Sequence, residues 1–177
     1  VYTVEEQPSG SVGASVGYSQ GYGLILGANL SENNFFGTGK QVGVGLNKSK
    51  FQTSINFNYT EPYYTVDGVS VGYSLFVRET DYGEYNVSSF STDSYGATVN
   101  WSYPVTDTQR IGFGFSYENL ELSSGTYDSK EIAEFVTDNG NLFDVFSANI
   151  NWVQSTLNRG IFATRGTMQR VSADLAL

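Results

Sequence analysis

The chain has 177 residues, of which 40% are hydrophobic, 15% aromatic and only 15% charged. Because an average soluble domain carries about 25% charged residues, this surface is short of charge. The formal net charge of −9 argues against a nucleic-acid partner, whose phosphates require a basic surface. The chain has no cysteine and no histidine, which removes disulfides, thiolate chemistry, the usual general base and the commonest metal ligand. We therefore expect no catalytic residues, no metal site and no cofactor.

No apolar run approaches the roughly 18–20 residues that a membrane-spanning helix requires. The opening residues 1–6 have neither the basic start nor the apolar core of a signal peptide. We expect either that a signal was removed or that the chain is a piece of a longer protein.

Apolar residues alternate with small polar residues along almost the whole chain, which predicts β-strands. The first run carries Val12, Ala14, Val16 and Tyr18 on one face. Its other face carries small residues, namely Ser11, Gly13, Ser15, Gly17 and Ser19. The apolar faces of eight further runs lie within residues 22–30, 42–46, 51–59, 69–77, 95–103, 111–117, 146–152 and 171–177. We predict an all-β protein of about nine antiparallel strands, each of roughly 8–11 residues, as a tilted strand needs to cross a bilayer.

The composition of the two faces distinguishes a membrane barrel from a secreted β-sandwich, whose strands also alternate. The apolar faces carry no charge, as hydrocarbon requires, because a charge at the bilayer midplane costs about 2–4 kcal/mol. The opposite faces are small and polar, which suits a water-filled lumen better than a dry core. Aromatic residues also gather near the predicted strand ends, as in an interfacial girdle, at Phe51, Tyr59, Tyr63, Tyr64, Tyr95, Trp101, Tyr103 and Trp152.

The predicted connections alternate between the two ends of the sheet. Residues 19–21, 48–50, 79–93 and 121–144 form one set. Residues 31–40, 60–68, 104–109 and 157–169 form the other. The two longest connections share an end, which is extracellular by analogy with bacterial barrels, so we expect the N-terminus in the periplasm. Within the last long connection we predict a short surface helix at Asp128–Val136.

An odd number of strands indicates an incomplete barrel, since bacterial barrels have even numbers of strands. An open edge in lipid leaves unpaired backbone groups that cost several kcal/mol each. We therefore expect further strands, either in missing sequence or in another chain.

Three predicted turns carry distinctive motifs. The first, residues 32–39, reads E-N-N-F-F-G-T-G and contains Asn34, Gly37 and Gly39. The second, residues 60–72, reads T-E-P-Y-Y-T-V-D-G-V-S-V-G and contains Pro62, Tyr63, Asp67 and Gly68. The third, residues 157–166, reads L-N-R-G-I-F-A-T-R-G and contains Arg159, Gly160, Phe162 and Gly166.

These motifs, in this order, resemble the periplasmic turns of the BamA family of outer-membrane barrel assembly factors. The second motif matches the family pattern nearly residue for residue, whereas the third has Asn158 for Asp and Ala163 for Pro. The opening residues 1–6 also resemble the closing strand of the last periplasmic POTRA domain. The resemblance implies that residues 1–10 end a POTRA domain or linker, and that 11–177 form the N-terminal part of the transmembrane barrel.

The resemblance also implies a location, partners and a mechanism. The location is the outer membrane of a Gram-negative cell. The expected partners are outer-membrane lipid and lipopolysaccharide, client outer-membrane proteins, accessory assembly lipoproteins and the remaining barrel strands. In the family the first strand pairs weakly with the last, so we expect Ser11–Ser19 to be the edge that receives a client strand. Gly and Ser hold a strand poorly, although they could equally be fitted to a crowded seam.

Other functions remain open from the residues alone. A passive barrel or pore fits the polar faces equally well, and a TamA-like or two-partner-secretion barrel is a closer alternative. The acidic pairs Glu61 with Asp67 and Glu118 with Glu121 lie near strand ends, where solvation is the ordinary role of such charges. Arg159, Arg165 and Arg170 surround the last turn, where they could pair with lipid phosphates or a soluble domain.

Overall fold

A computed structural model describes residues 8–83, 90–123 and 130–176. Within these residues the chain forms nine strands and one helix: β1 (Gly10–Ser19), β2 (Gly23–Phe35), β3 (Lys40–Lys48), β4 (Gln52–Glu61), β5 (Ser70–Asp81), β6 (Ser91–Thr106), β7 (Gln109–Ser123), α1 (Lys130–Asn139), β8 (Leu142–Ser155) and β9 (Met168–Ala176). Most of the predicted POTRA segment, residues 1–7, lies outside the described residues, as does residue 177.

The nine strands form one antiparallel sheet in which spatial order follows chain order. Every neighbouring pair is antiparallel, from β1 with β2 to β8 with β9, which are the two edges of the sheet. The prediction of about nine antiparallel strands in an open part of a barrel is confirmed. The connections also alternate between the two ends as predicted, because each antiparallel step reverses the chain.

The sheet has almost no protein core. We call the face that carries the predicted apolar residues the outward face and the opposite face the inward face. Among the described residues only two hydrophobic side chains are buried, Phe51 at 5% exposure and Val71 at 1%. Outward side chains such as Leu75 and Phe115 are 53% and 60% exposed. The outward faces therefore do not pack against one another as in a sandwich, and hydrocarbon is the environment that suits them.

The inward face alternates glycine with asparagine across neighbouring strands. Asn29 of β2 lies opposite both Gly13 of β1 and Gly45 of β3, and Gly45 also lies opposite Asn56 of β4. A Cβ added to Gly45 would lie 2.5 Å from Asn56 Oδ1. The amides lean over the bare glycine backbone, so the inward face around these glycines is polar and closely fitted.

β6, β7 and β8 contain 16, 15 and 14 residues, more than the predicted 8–11. The reason is an inversion of polarity near the end of β7. There Leu120 and Leu122 share the inward face, whereas Asn119 and Glu121 share the outward face. A strand that leaves hydrocarbon for water no longer requires apolar outward residues, so its ladder continues beyond the apolar stretch.

Helix α1 lies over this extension. It spans Lys130–Asn139, close to the predicted Asp128–Val136, and the ring of Phe135 stacks on Phe143 with centroids 5.6 Å apart. An i,i+4 ion pair joins Lys130 Nζ to Glu134 Oε1 at 3.4 Å on its exposed surface. In the part of the chain that the structure describes, no helix has the length and apolar character to cross a membrane.

Candidate functional site

The predicted client-pairing edge is the first strand of the sheet. β1 pairs with β2 over ten residues, from Gly10 opposite Glu32 to Ser19 opposite Gly23. Its other edge has no strand beside it among the described residues. Val12, Val16 and Tyr18 are 75–81% exposed on its outward face. The structure therefore brings residues 11–19 together as one continuous free edge.

The inward side chains of β1 make few contacts. Ser11 Oγ and Ser31 Oγ lie 2.8 Å apart and share a hydrogen bond. A Cβ added to Gly13 would collide with the Asn29 amide, so packing against β2 accounts for this glycine. At Gly17 the added Cβ would meet only Ile25 Cβ, at 4.0 Å. Crowding against β2 therefore accounts for the glycine at position 13. It does not account for the glycine at position 17, where β2 leaves room for a side chain.

The turn between β2 and β3 is held by the side chain of Asn34. Gly39 N–H donates to Asn34 Oδ1 at 2.7 Å, and Gly37 N–H donates to the Asn34 carbonyl at 2.9 Å. Gly37 and Gly39 have φ values of 73° and 70°, in the left-handed region that favours glycine. Phe36 also has a positive φ, 52°, and its side chain is 89% exposed. The turn therefore presents an aromatic ring on a strained backbone.

The turn between β4 and β5 contains the second motif. Gly68 has a φ of 82° and its N–H donates to the Thr65 carbonyl at 3.0 Å. Tyr64 N–H donates to the Val69 carbonyl at 2.9 Å, which closes the turn. Pro62 and Asp67 lie in this turn, and Tyr63 is 77% exposed. The Asp-Gly pair occupies the position where a left-handed residue is needed.

The connection between β8 and β9 repeats the asparagine arrangement of the β2–β3 turn. Asn158 Oδ1 accepts from the backbone N–H groups of Thr164 at 3.1 Å and Arg165 at 3.3 Å. The Arg159 guanidinium donates to Thr164 Oγ1 at 3.4 Å. Phe162 has a φ of 52° and is 89% exposed.

Gly160, Gly166 and Arg170 are the remaining residues that the sequence singled out in this region. Gly166 has a φ of 99°, whereas Gly160 has no positive φ. Arg170 lies in β9 opposite Val153 rather than in the turn with Arg159 and Arg165. Of the three arginines, Arg159 and Arg165 therefore lie in the connection and Arg170 lies in the adjoining strand.

The left-handed conformations of Phe36 and Phe162 were not predicted. Phenylalanine rarely adopts a positive φ, so residue type gave no signal. The nearest signal was an asparagine before each Phe, Asn34 and Asn158, and a glycine after it, Gly37 and Gly166. The pattern becomes meaningful only once the side-chain hydrogen bonds of Asn34 and Asn158 are known.

A second feature is an ion pair on the outward face, between the start of β3 and the end of β4. Lys40 Nζ lies 3.4 Å from Glu61 Oε1 in an ion pair that is about one-third exposed on the lysine side. Tyr59 donates its hydroxyl to Glu61 Oε2 at 3.4 Å. These paired charges mark one border of the apolar surface. Across residues 8–83, 90–123 and 130–176, no group of three acidic side chains could hold a metal ion.

Comparison with known proteins identifies the family. The Omp85 superfamily domain matches residues 34–177. The chain belongs to the Omp85 superfamily.

Individual Omp85 relatives agree with the resemblance that the turn motifs indicated. The chain is 29% identical to the outer membrane protein assembly factor BamA of Neisseria meningitidis over 99% of its own length and 23% of the relative's. It is 24% identical to BamA of Buchnera aphidicola over 70% of its length and 20% of the relative's. The chain thus spans about a quarter or less of these relatives, which are named assembly factors rather than enzymes.

A solved structure supports the same relationship. The chain resembles the crystal structure of BamA from Haemophilus ducreyi lacking POTRA domains 1–3, with a TM-score of 0.72 and 27% sequence identity. The match covers 98% of this chain and 35% of that one. The predicted similarity to BamA and the predicted fold are confirmed, and relatives of this kind are outer-membrane proteins of Gram-negative bacteria.

Proposed function

We propose that this Omp85 chain is the N-terminal part of the barrel of an outer-membrane protein assembly factor. In this proposal the free edge of β1, residues Ser11–Ser19, receives a strand of a client β-barrel. The observation that carries it is a ten-residue strand, β1, that pairs with β2 alone among the described residues, in a sheet whose outward face is apolar. The names of the relatives indicate the class of activity, and the edge of β1 is the proposed site of that activity.

Backbone hydrogen bonds provide the affinity for an incoming strand. Unpaired N–H and C=O groups facing hydrocarbon each cost several kcal/mol, so a free edge at membrane depth is a strong template. A client strand that adds to β1 satisfies these groups, as in other cases of β-augmentation. Because the ladder depends little on side-chain identity, one edge can accept strands of many different clients.

The small side chains of β1 allow the client strand to leave again. Gly17 has open space beside it, and Ser11, Gly13 and Ser15 add little packing of their own. Cross-strand pairs between large side chains contribute roughly 0.2–1 kcal/mol each. On its inward face a client strand bound to β1 lacks most of those contributions, so we expect exchange without an external energy source such as ATP.

A short apolar stretch assists insertion from the lipid side. On β3 the outward face carries only Val42, Val44 and Leu46 between Lys40 and Lys48. The belt on β1, two strands away, comprises Val12, Ala14, Val16 and Tyr18, four residues. A stretch shorter than the hydrocarbon thickness thins the bilayer locally, which lowers the barrier for a client to enter beside β1.

The remaining assignments follow the same proposal. The three motif turns face the periplasm with the N-terminus, and the two longest connections face outward toward lipopolysaccharide. The motif residues Asn34, Gly37, Gly39, Pro62, Tyr63, Asp67, Gly68, Arg159, Gly160, Phe162 and Gly166 shape these turns. Accessory lipoproteins and the remaining barrel strands are the further partners, and no catalytic step is required.

Disulfide trapping tests the proposed edge. Single cysteines at Val12, Ala14, Val16 and Tyr18 in the full-length protein are combined with cysteines along the terminal strand of a client. We expect crosslinks whose positions shift in register, two residues at a time, during client assembly. Leu75→Cys is the matched control, since Leu75 is also an exposed outward residue but lies on β5, which is paired on both sides. Assembly that proceeds without β1 crosslinks, or with equal crosslinking at Leu75, contradicts the proposal.

A further inference from the structure

We propose that the turn between β2 and β3 is a rigid lipid anchor, in which Phe36 inserts into the headgroup region of the adjacent leaflet. The position lies one strand from the free edge of β1. The inference concerns lipid contact at a turn and does not depend on the passage of clients. It rests on the conformation, the contacts and the exposure of this one turn.

The backbone of the turn is held in place around Phe36. Besides the hydrogen bonds of Asn34, Thr38 N–H donates to the Phe35 carbonyl at 3.2 Å, and Thr38 Oγ1 donates to the same carbonyl at 2.6 Å. Asn34 N–H in turn donates to Glu32 Oε1 at 3.0 Å. Phe36 is thereby enclosed between bonded residues on both sides, so its direction is fixed by the backbone.

This conformation is unfavourable for the residue that adopts it. A left-handed backbone costs an ordinary L-residue roughly 1–2 kcal/mol, and glycine would adopt it freely. Phe36 also leaves 89% of a large apolar side chain exposed. Both the backbone conformation of Phe36 and the exposure of its ring to water are unfavourable. We therefore infer a compensating contact of the ring with a component other than the protein and water.

The contact of Phe36 with its neighbour identifies that component as lipid. Phe35 pairs with Lys40, which shares the outward face of β3 because it lies two residues before Val42. Phe35 therefore lies on the outward face, and its ring centroid is 4.4 Å from that of Phe36. Phe36 extends the hydrocarbon-facing surface beyond the end of the ladder. An aromatic ring at this border sits favourably among headgroups.

The β8–β9 connection provides an internal comparison. Phe162 has the same φ of 52° and the same 89% exposure, and an asparagine side chain likewise holds its connection. Its flanking cations, Arg159 and Arg165, lie in the connection itself, whereas Phe36 has Phe35 of the outward face against it. Exposure and conformation are therefore matched, and among the described ring contacts only Phe36 meets a ring of the outward face.

Depth-dependent fluorescence quenching tests the anchor. Phe36→Trp and Phe162→Trp are made separately in the full-length protein, with the other tryptophans replaced by phenylalanine. Each protein is placed in phosphatidylcholine vesicles brominated either near the glycerol or near the chain end. We expect Trp at position 36 to lose most of its emission with bromine near the glycerol and little with bromine near the chain end. We expect the Trp at position 162 to be quenched far less.

A second variant guards against misfolding of the tryptophan proteins. Phe36→Cys carrying an environment-sensitive fluorophore is expected to show blue-shifted emission in vesicles, and Asn34→Ala is expected to reduce that shift by freeing the turn. Absence of quenching and of a blue shift at position 36 overturns the proposal. Equal quenching at both positions also overturns it, because exposure alone would then explain insertion. Shielding from aqueous quenchers without lipid quenching indicates a protein partner, and likewise contradicts a lipid anchor.

Discussion

Strands β3 and β6 differ in how much membrane their apolar outward faces can span. β3 contains 9 residues and β6 contains 16. The outward face of β3 carries three apolar residues between two lysines. That of β6 carries five, Tyr95, Ala97, Val99, Trp101 and Tyr103. One continuous sheet therefore has a low apolar stretch at β3, two strands from its free edge, and a taller one at β6.

The spacing between the charged residues at the two ends of each apolar stretch gives the thickness of membrane that the stretch can span. Lys40 and Lys48 are eight residues apart, about 27 Å along a strand at roughly 3.4 Å per residue. At a tilt of about 40° this is about 20 Å along the membrane normal, below the roughly 30 Å of a typical hydrocarbon core. From Asp93 on β6 to Asp107 in the turn just past it, the interval is about 48 Å, or about 36 Å when tilted. The apolar stretch of β6 thus matches a normal bilayer, and that of β3 requires a thinner one.

An arginine scan at two matched valines should give the largest effect. Val99→Arg places a charge at the centre of the tall stretch, where we expect a loss of about 2–4 kcal/mol in unfolding free energy. Val44→Arg lies four residues from each lysine, where headgroups are near, and should cost about 0–1 kcal/mol. Denaturant titration of the full-length barrel in vesicles measures both. Equal losses would show that the bilayer has one thickness around the sheet.

The inward face offers a second contrast between a crowded and an open glycine. Gly114→Val meets the amides of Asn100 and Asn149, so overpacking should lower stability by roughly 1–3 kcal/mol. Gly17→Val meets only Ile25 at the van der Waals limit and should change stability by less than about 0.5 kcal/mol. The same denaturant titration compares them. A large loss at Gly17 would mean that β1 is as closely packed as β7.

The two asparagine-held turns should differ by the number of hydrogen bonds that each side chain makes. Asn158 accepts from two backbone N–H groups and Asn34 from one. Since a net hydrogen bond contributes about 0.5–1.5 kcal/mol, Asn158→Ala should destabilise more than Asn34→Ala. Thermal unfolding in detergent micelles measures the order, and the reverse order would contradict the assigned contacts.

The smallest expected change is a stabilisation. Phe162→Gly removes a left-handed phenylalanine in favour of the residue that adopts this conformation freely, which should add about 1 kcal/mol in detergent. Phe162→Ala is the control, because it removes the ring but keeps the strain. If alanine stabilises as much as glycine, exposure of the ring and not the backbone is the unfavourable feature.

The sequence predicted the elements that a local pattern determines. Alternation such as that from Val12 to Tyr18 specified the strands and their faces, and the motif that contains Asp67-Gly68 specified a turn. The end of β7 and the start of β8 were not predicted, because from Leu120 onward the apolar residues lie on the inward face. In the sequence, that change of face resembles the start of a loop.

Features that depend on contacts between distant residues were not predictable. Gly13 and Asn29 are adjacent only through the β1–β2 register, so the fit of amide to glycine across strands had no local signal. The left-handed Phe36 depends on a hydrogen bond from Gly39 to Asn34, and its contact with the outward face depends on the pairing of Phe35 with Lys40. The periplasmic orientation and the client-pairing role of β1 remain predictions.

The account depends most on the different surroundings of the two faces, and spin labels along β5 test this directly. Labels at Tyr73, Leu75 and Val77 should collide with oxygen, which concentrates in hydrocarbon, whereas labels at Gly72 and Ser74 should collide with a water-soluble nickel chelate. We predict a period-two alternation of the two accessibilities in the full-length protein in vesicles. Accessibilities without that period, or oxygen collisions on the inward residues, would contradict a lipid-facing outward surface.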